Sequence, residues 1–278
     1  GTGSFTWTPA STLSSSSNQS PYSKPKITTK YFVTLTDANG CTNKDSVTVN
    51  ILPAPFIDAG PNKSVCAGFA AQLNANGKGA FLWTPGATLS STIIPNPVAS
   101  PIVTTKYYVT LTDSNNCKNN DSLVVTINQK PIVNAGKDTI ACANTPVTLG
   151  GNPTSAGTNA YQWTPPASLS GGSAPNPVAT PSVTTAYIVG VTDMNGCKNN
   201  DTVTVHIFSI QPIKDTVFCS GDTIILNAST LSGKSPYTYS WLPSIGLNNT
   251  TGMNVKASPT AATTYTVTVT DNNVCKVS

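Results

Sequence analysis

Three kinds of residue in this chain could do chemistry, and two of them recur periodically. Cys41, Cys117, Cys197 and Cys275 follow one another at 76, 80 and 78 residues, and a second series, Cys66, Cys142 and Cys219, is interleaved with them. No Cys-x-x-Cys spacing occurs, so a zinc or redox motif is not expected. Seven cysteines point to disulfides in an oxidising compartment, with isolated buried thiols as the alternative. Asp37, Asp113, Asp193 and Asp271 form a second set, and Asp45, Asp121 and Asp201 a third. Carboxylates beside loop carbonyls could hold calcium. Turn capping through the backbone is the favoured reading, and no cofactor is expected. The one histidine, His206, alternates with Val205 and Ile207 on a polar strand face. No Ser-His-Asp set can be assembled more than once, so the segment is expected to have no enzymatic activity.

The elements that must position these residues are strands. Thr, Ser, Asn, Val and Pro dominate the 278 residues; β-branched Thr and Val favour strands, while Asn, Gly, Pro and Ser supply turns. The net charge of +4, with 9% charged residues, offers no basic track for nucleic acid. No apolar run approaches the length needed to span a bilayer, so no membrane insertion is expected. The chain opens without a signal-like segment and reads as an excerpt or processed product.

Tryptophan recurs at Trp7, Trp83, Trp163 and Trp241 with the same three spacings as the first cysteine series. Asn96–Ile127 and Asn176–Ile207 are copies of one another. Each unit holds about seven short alternating runs, the pattern of a β-sandwich domain. Tyr107, Val109 and Leu111 share a face, as do Leu123, Val125 and Ile127, giving a hairpin buried on one side. Asn39-Gly40 and Asn195-Gly196 mark the turn of the corresponding hairpin in two other repeats. The tryptophans are expected in the core, and Tyr31, Tyr107, Tyr187 and Tyr265 at corners opening the penultimate strand. Phe32, Tyr108 and Ile188 face outward beside those tyrosines, either as a weak binding stripe or packed on neighbouring threonines.

Pro-containing joints place repeats at residues 1–52, 53–129, 130–209 and 210–278, the first lacking its opening strands and the last its closing strand. The joints are too short to be flexible tethers, so an all-β rod of tandem sandwiches is expected.

The order Cys-Ala-Gly, Trp-Thr-Pro, Asn-Pro-x-Ala-x-Pro-x-x-Thr-Thr-x-Tyr, Thr-Asp-x-Asn-Gly-Cys and Asp-Ser/Thr-Val covers essentially the whole chain. It resembles the PKD-like and immunoglobulin-like repeats of Bacteroidota surface proteins, with gliding-motility adhesins and other substrates of the type IX secretion system as the nearest association. That resemblance implies a secreted protein at the bacterial cell surface and a sandwich fold. The triplets at Ser46, Ser122, Thr139, Thr202, Thr216 and Thr223, each Asp-Ser/Thr-aliphatic, look like the O-glycosylation acceptor of that group. Strands that simply start Asp-Thr-Val after a turn are the alternative.

Two disulfide patterns are open. Pairing within repeats gives Cys66–Cys117, Cys142–Cys197 and Cys219–Cys275. In a seven-stranded sandwich, however, the first cysteine sits in the turn after the first strand and the second in the last hairpin, at opposite ends of the domain, whereas a disulfide needs Cα atoms within about 7 Å. Stacking repeats head to tail favours Cys66–Cys197 and Cys142–Cys275, with Cys41, Cys117 and Cys219 awaiting partners outside. The expected function is a structural or adhesive segment of a secreted adhesin or filament whose partners are neighbouring repeats. The alternative is a carbohydrate-binding or spacer module of a secreted polysaccharide hydrolase, with a surface polysaccharide as partner.

Overall fold

Alternating apolar and polar residues give each long strand one buried and one solvated face, and the strands pair accordingly. A computed structural model describes residues 3–152 and 154–278, and it divides into two compact units, Gly1–Ile127 and Asn128–Ser278. All named elements are strands, and no helix among the described residues is long and apolar enough to cross a membrane.

In the first unit, β1 (Gly3–Thr8), β2 (Thr29–Asp37) and β3 (Thr42–Val49) form one antiparallel sheet in that order. The second repeat supplies β4 (Ile57–Asp58), β5 (Lys63–Cys66), β6 (Ala71–Gln72), β7 (Asn76–Gly77), β8 (Ala80–Thr84), β9 (Val98–Ala99), β10 (Thr105–Thr112) and β11 (Lys118–Asn128). Its main sheet runs β5-β11-β10-β8, and the short pairs β4-β7 and β6-β9 lie outside that sheet. Tyr107, Val109, Leu111, Leu123 and Val125 pack on Trp83, Ile57, Ala59, Ala71 and Leu73.

The second unit repeats this plan. Its strands are β12 (Thr139–Ala141), β13 (Val147–Thr148), β14 (Ala160–Thr164), β15 (Leu169–Ser170), β16 (Val178–Ala179), β17 (Thr185–Thr192) and β18 (Lys198–Ile207). Sheets β12-β18-β17-β14 and β13-β16-β15 enclose Trp163, Tyr187, Val189, Val203 and Val205. β12 runs parallel to β18, with Ala141 opposite Ile207. Then come β19 (Ile224–Asn227), β20 (Thr238–Leu242), β21 (Asn254–Ala257), β22 (Thr266–Thr270) and β23 (Lys276–Val277), paired as β20-β22-β23 and β19-β21 around Trp241, Val255, Val267 and Val269. Two layers, with β12 parallel to β18 and antiparallel pairs elsewhere, make the repeat around Trp163 an immunoglobulin-like sandwich. The chain is an all-β tandem array of such domains.

The tryptophan is fastened in the same way in every repeat. Each indole Nε1 donates to a carbonyl eleven residues on: Asn18, Ile94, Ala174 and Gly252, at 3.0, 3.0, 3.1 and 2.9 Å. Each also stands two residues before a proline reached through a cis peptide. The tyrosine hydroxyls tie back to the same loop: Tyr31 to Thr12, Tyr107 to Thr88, Tyr187 to Ser168 and Tyr265 to the Ile245 carbonyl. Two of the eight expected core residues depart from the pattern. Trp7 and Tyr265 are only half-buried. Among the described residues, β1, β2 and β3 pair with one another in that order, and β23 pairs with β22.

Candidate functional site: the cysteine hairpin and the joint

Each penultimate strand ends in an aspartate whose side chain builds the following hairpin. Asp37, Asp113, Asp193 and Asp271 each accept, through Oδ1, the amide two residues on and the cysteine amide four residues on, at 2.8–2.9 Å. The aspartate's own amide donates to the cysteine carbonyl at 3.0 Å in all four copies. One carboxylate oxygen is thus occupied by backbone donors, as turn capping requires. Among the described residues no three His, Cys, Asp or Glu side chains converge on a common point. The residue before each cysteine has positive φ: Gly40 (80°), Asn116 (63°), Gly196 (77°) and Val274 (64°).

The last hairpin presents its cysteine to the preceding repeat. Cys142 and Cys275 are joined, with Cα atoms 5.0 Å apart across a sequence separation of 133. Cys41, Cys117 and Cys219 are free thiols, Cys41 and Cys219 exposed and Cys117 half-buried. None of the three in-repeat pairs is therefore formed. The register explains why. Cys142 directly follows Ala141, which lies opposite Ile207 at the end of β18, whereas Cys197 immediately precedes Lys198 at its start. Nine residues of extended chain put the two about 30 Å apart.

The peptide between these two repeats is stitched down rather than left as a tether. Phe208 is buried in the last repeat's core with Cys275, with Cys142 packed beside them. Its ring lies parallel to Tyr237, with centroids 6.0 Å apart. Gly233, at φ 113°, makes room: a Cβ there would stand 2.4 Å from Phe208 Cδ2. The Phe208 amide donates to the Ala141 carbonyl, and Gln211 donates to Ser229. Ser232 Oγ donates to the Ile207 carbonyl at 2.6 Å and accepts from the Ser209 amide at 3.0 Å. Asp271, buried, also receives the Lys234 amide on Oδ2. Sequence reading gave no role to Phe208 or Gly233, since a single aromatic or glycine in a linker carries no periodic signal.

The aspartates that open the last strand do different work. Asp121 Oδ2 accepts the Ala59 amide at 2.8 Å and Oδ1 the Ser122 amide at 2.7 Å. These two donors, Ala59 foremost, hold its carboxyl below the usual carboxylate range against the opposing effect of burial. Asp201 accepts Ala135 in the same way at 2.9 Å. Asn119 and Asn199 donate to the Pro55 and Pro131 carbonyls, both at 2.9 Å. The Val124 and Thr204 amides donate to Asn62 and Asp138. Together these contacts pin the repeat's leading segment to its last strand. The recurrence of Asn-Asn-Asp before Ser or Thr was the signal available in the sequence.

His206 lies on β18 opposite Ile140. The hydroxyl positions Ser46, Thr202, Thr216 and Thr223 are exposed, and Ser122 and Thr139 half-buried. Phe32, Tyr108 and Ile188 face outward. Lys30 Nζ covers the Phe32 ring at 5.3 Å and Lys106 Nζ the Tyr108 ring at 5.1 Å, so these ring faces are engaged by lysine.

No family model and no curated protein matches the sequence. Solved structures with some likeness include the titin domains I67–I69 (12% identity, 81% of this chain and 96% of that chain, TM-score 0.36). Others are the eight N-terminal immunoglobulin domains of the Down syndrome cell adhesion molecule (12%, 96% and 48%, 0.29) and the human desmocollin-1 ectodomain (10%, 99% and 70%, 0.31). The chain spans about half of the second of these. At such identities a likeness is one of fold alone, and this chain's own sheets and cores are what make it an array of immunoglobulin-like sandwiches.

Proposed function

We propose that this chain is a non-catalytic, load-bearing stretch of a secreted surface adhesin or extracellular filament. The observation that carries this is the bond between Cys142 and Cys275, which fastens one repeat to the next at a joint already closed by Phe208 and Ser232. In this reading Cys66 and Cys197 form the equivalent bond one repeat earlier, and the repeats divide as 1–52, 53–129, 130–209 and 210–278. A bacterial surface location and export by the type IX route follow from the sequence resemblance described above. The partners are neighbouring repeats. The lysines covering Phe32 and Tyr108 leave little open aromatic face for a polysaccharide.

Single-molecule extension tests this. Without reductant, the last two repeats should extend by less than their full contour length, because the segment between Cys142 and Cys275 is locked. Reductant should release the remainder. Equal extension in both conditions would exclude a load-bearing role for the bond. Non-reducing peptide mapping should recover Cys66 with Cys197, and finding Cys66 with Cys117 would refute that pairing. O-glycans on Ser46, Ser122, Thr139, Thr202, Thr216 and Thr223 belong to the same proposal. An intact mass from the native host equal to the bare polypeptide would remove them.

A further inference from the structure

The joint between the last two repeats gathers polar side chains that the fold itself does not use. Asp138, the first two residues of β12 (Thr139 and Ile140), His206 on β18, and Lys234 and Asn273 of the last repeat line one cleft of about 540 Å³. The third repeat supplies one wall, where β12 and β18 run parallel with Ile140 opposite His206. The last repeat supplies the other. There the Lys234 and Asn273 amides are held by the Asp271 carboxylate, and the Lys234 carbonyl accepts the Asn272 amide. Backbone contacts set both walls and leave the side chains over. Asp138 gives one oxygen to the Thr204 amide at 2.7 Å. Among the described residues, its other oxygen, the Thr139 hydroxyl, the His206 ring, the Lys234 ammonium and the Asn273 side-chain amide have no hydrogen-bond or ion-pair partner.

Composition makes this gathering unusual. Charged residues are 9% of the chain, and His206 is its one histidine. The repeat plan does not require the set either. Asn62, Lys63, Thr126 and Ala156 stand one repeat earlier at the positions of Asp138, Thr139, His206 and Lys234.

We propose that this cleft binds an acidic sugar, a uronate unit of a polysaccharide. One acceptor-only group, Asp138, faces four donors, which suits an anionic ligand that also carries hydroxyls. The Lys234 ammonium and the His206 ring N–H take the carboxylate. The remaining Asp138 oxygen, the Asn273 amide and the Thr139 hydroxyl take sugar hydroxyls. Ile140, 37% exposed, offers an apolar surface to the C–H face of the ring. A free zwitterion fits less well. It would use the charged groups and leave the neutral ones idle, and a cleft open to solvent buries little of a small molecule. A polymer offsets that loss by repeating the contact. No aromatic face is needed, so the lysines over Phe32 and Tyr108 do not bear on the site. The site goes beyond the load-bearing reading and does not rest on it.

The test uses the full, oxidised chain and tetragalacturonate as the probe, at fixed pH and ionic strength. With one histidine in the chain, its two carbon-bound ring protons report this cleft alone in a proton NMR spectrum. Titration should shift both signals saturably, with a Kd of roughly a millimolar. The methyl-esterified tetramer keeps the hydroxyls and loses the charges, and should bind at least about tenfold more weakly. Lys234→Ala should weaken binding about tenfold, whereas Lys234→Arg, which keeps the charge, should stay within about threefold of the wild type. Asp138→Asn, which keeps an acceptor for the Thr204 amide, should weaken binding about threefold. Unchanged thermal unfolding identifies these variants as folded. Ring signals that stay still, or that move equally with the ester, overturn the proposal. Inorganic sulfate shifting them as strongly as the tetramer would show a bare anion site, and glycine doing so would show a zwitterion site; either result also overturns it. None of these outcomes touches the Cys142–Cys275 bond, so the load-bearing reading stands or falls separately.

Discussion

At the scale of residues, the four hairpins form an internal mutational series. Glycine, asparagine, glycine and valine occupy one left-handed position. A β-branched side chain there costs roughly 1–2 kcal/mol relative to glycine, partly offset by glycine's freedom in the unfolded chain. Val274 is 73% exposed, so little packing is lost on truncation. Val274→Gly should therefore raise the last repeat's stability by about 1 kcal/mol, seen as a higher denaturant midpoint with unchanged slope. Asp121 gives a pH prediction. Its folded pKa lies below the unfolded value of about 3.9, so its contribution is present above that value and is lost as pH falls through the folded pKa. Asp121→Asn should lower the second repeat's stability at neutral pH and flatten its loss below about pH 4, measured by unfolding across that range. The tryptophans and tyrosines were readable because a large aromatic at a fixed period has few places to go. Trp7 and Tyr265 escaped that reading because burial depends on layers that a local pattern does not report.

At the scale of elements, the joint was legible in part. Opposite ends of one sandwich could be inferred from strand order, and that order disfavoured pairing within a repeat. The linker's docking was not legible. It depends on a steric fit between Phe208 and Gly233, which no periodicity announces. Gly233→Ala forces a Cβ into the Phe208 ring at a backbone angle that disfavours any side chain. It should destabilise the last repeat by roughly 1–3 kcal/mol, while the sandwich around Trp163 keeps its own transition. Loss of both transitions together would mean that the two sandwiches fold as one cooperative block.

At the scale of the whole molecule, stability should depend on redox state, because a disulfide ties the last two repeats together. A bond spanning 133 residues restrains the unfolded chain by up to about 5 kcal/mol in the chain-entropy treatment. Cys142→Ser should lower the thermal transition of the last repeat without reductant and remove that repeat's difference between reduced and non-reduced samples. Wild type and variant unfolding alike under both conditions would show that the bond does not restrain unfolding.

The long reach of that bond also sets an order of maturation. Cys142 and its partner are separated by an entire following repeat, and Cys275 is presented only once its aspartate-clamped turn has closed. On a chain emerging from its amino terminus, the Cys142 thiol must wait until its successor is made and folded. Oxidation then becomes a stepwise record of progress along the array, and a lingering thiol marks the place where the next repeat failed.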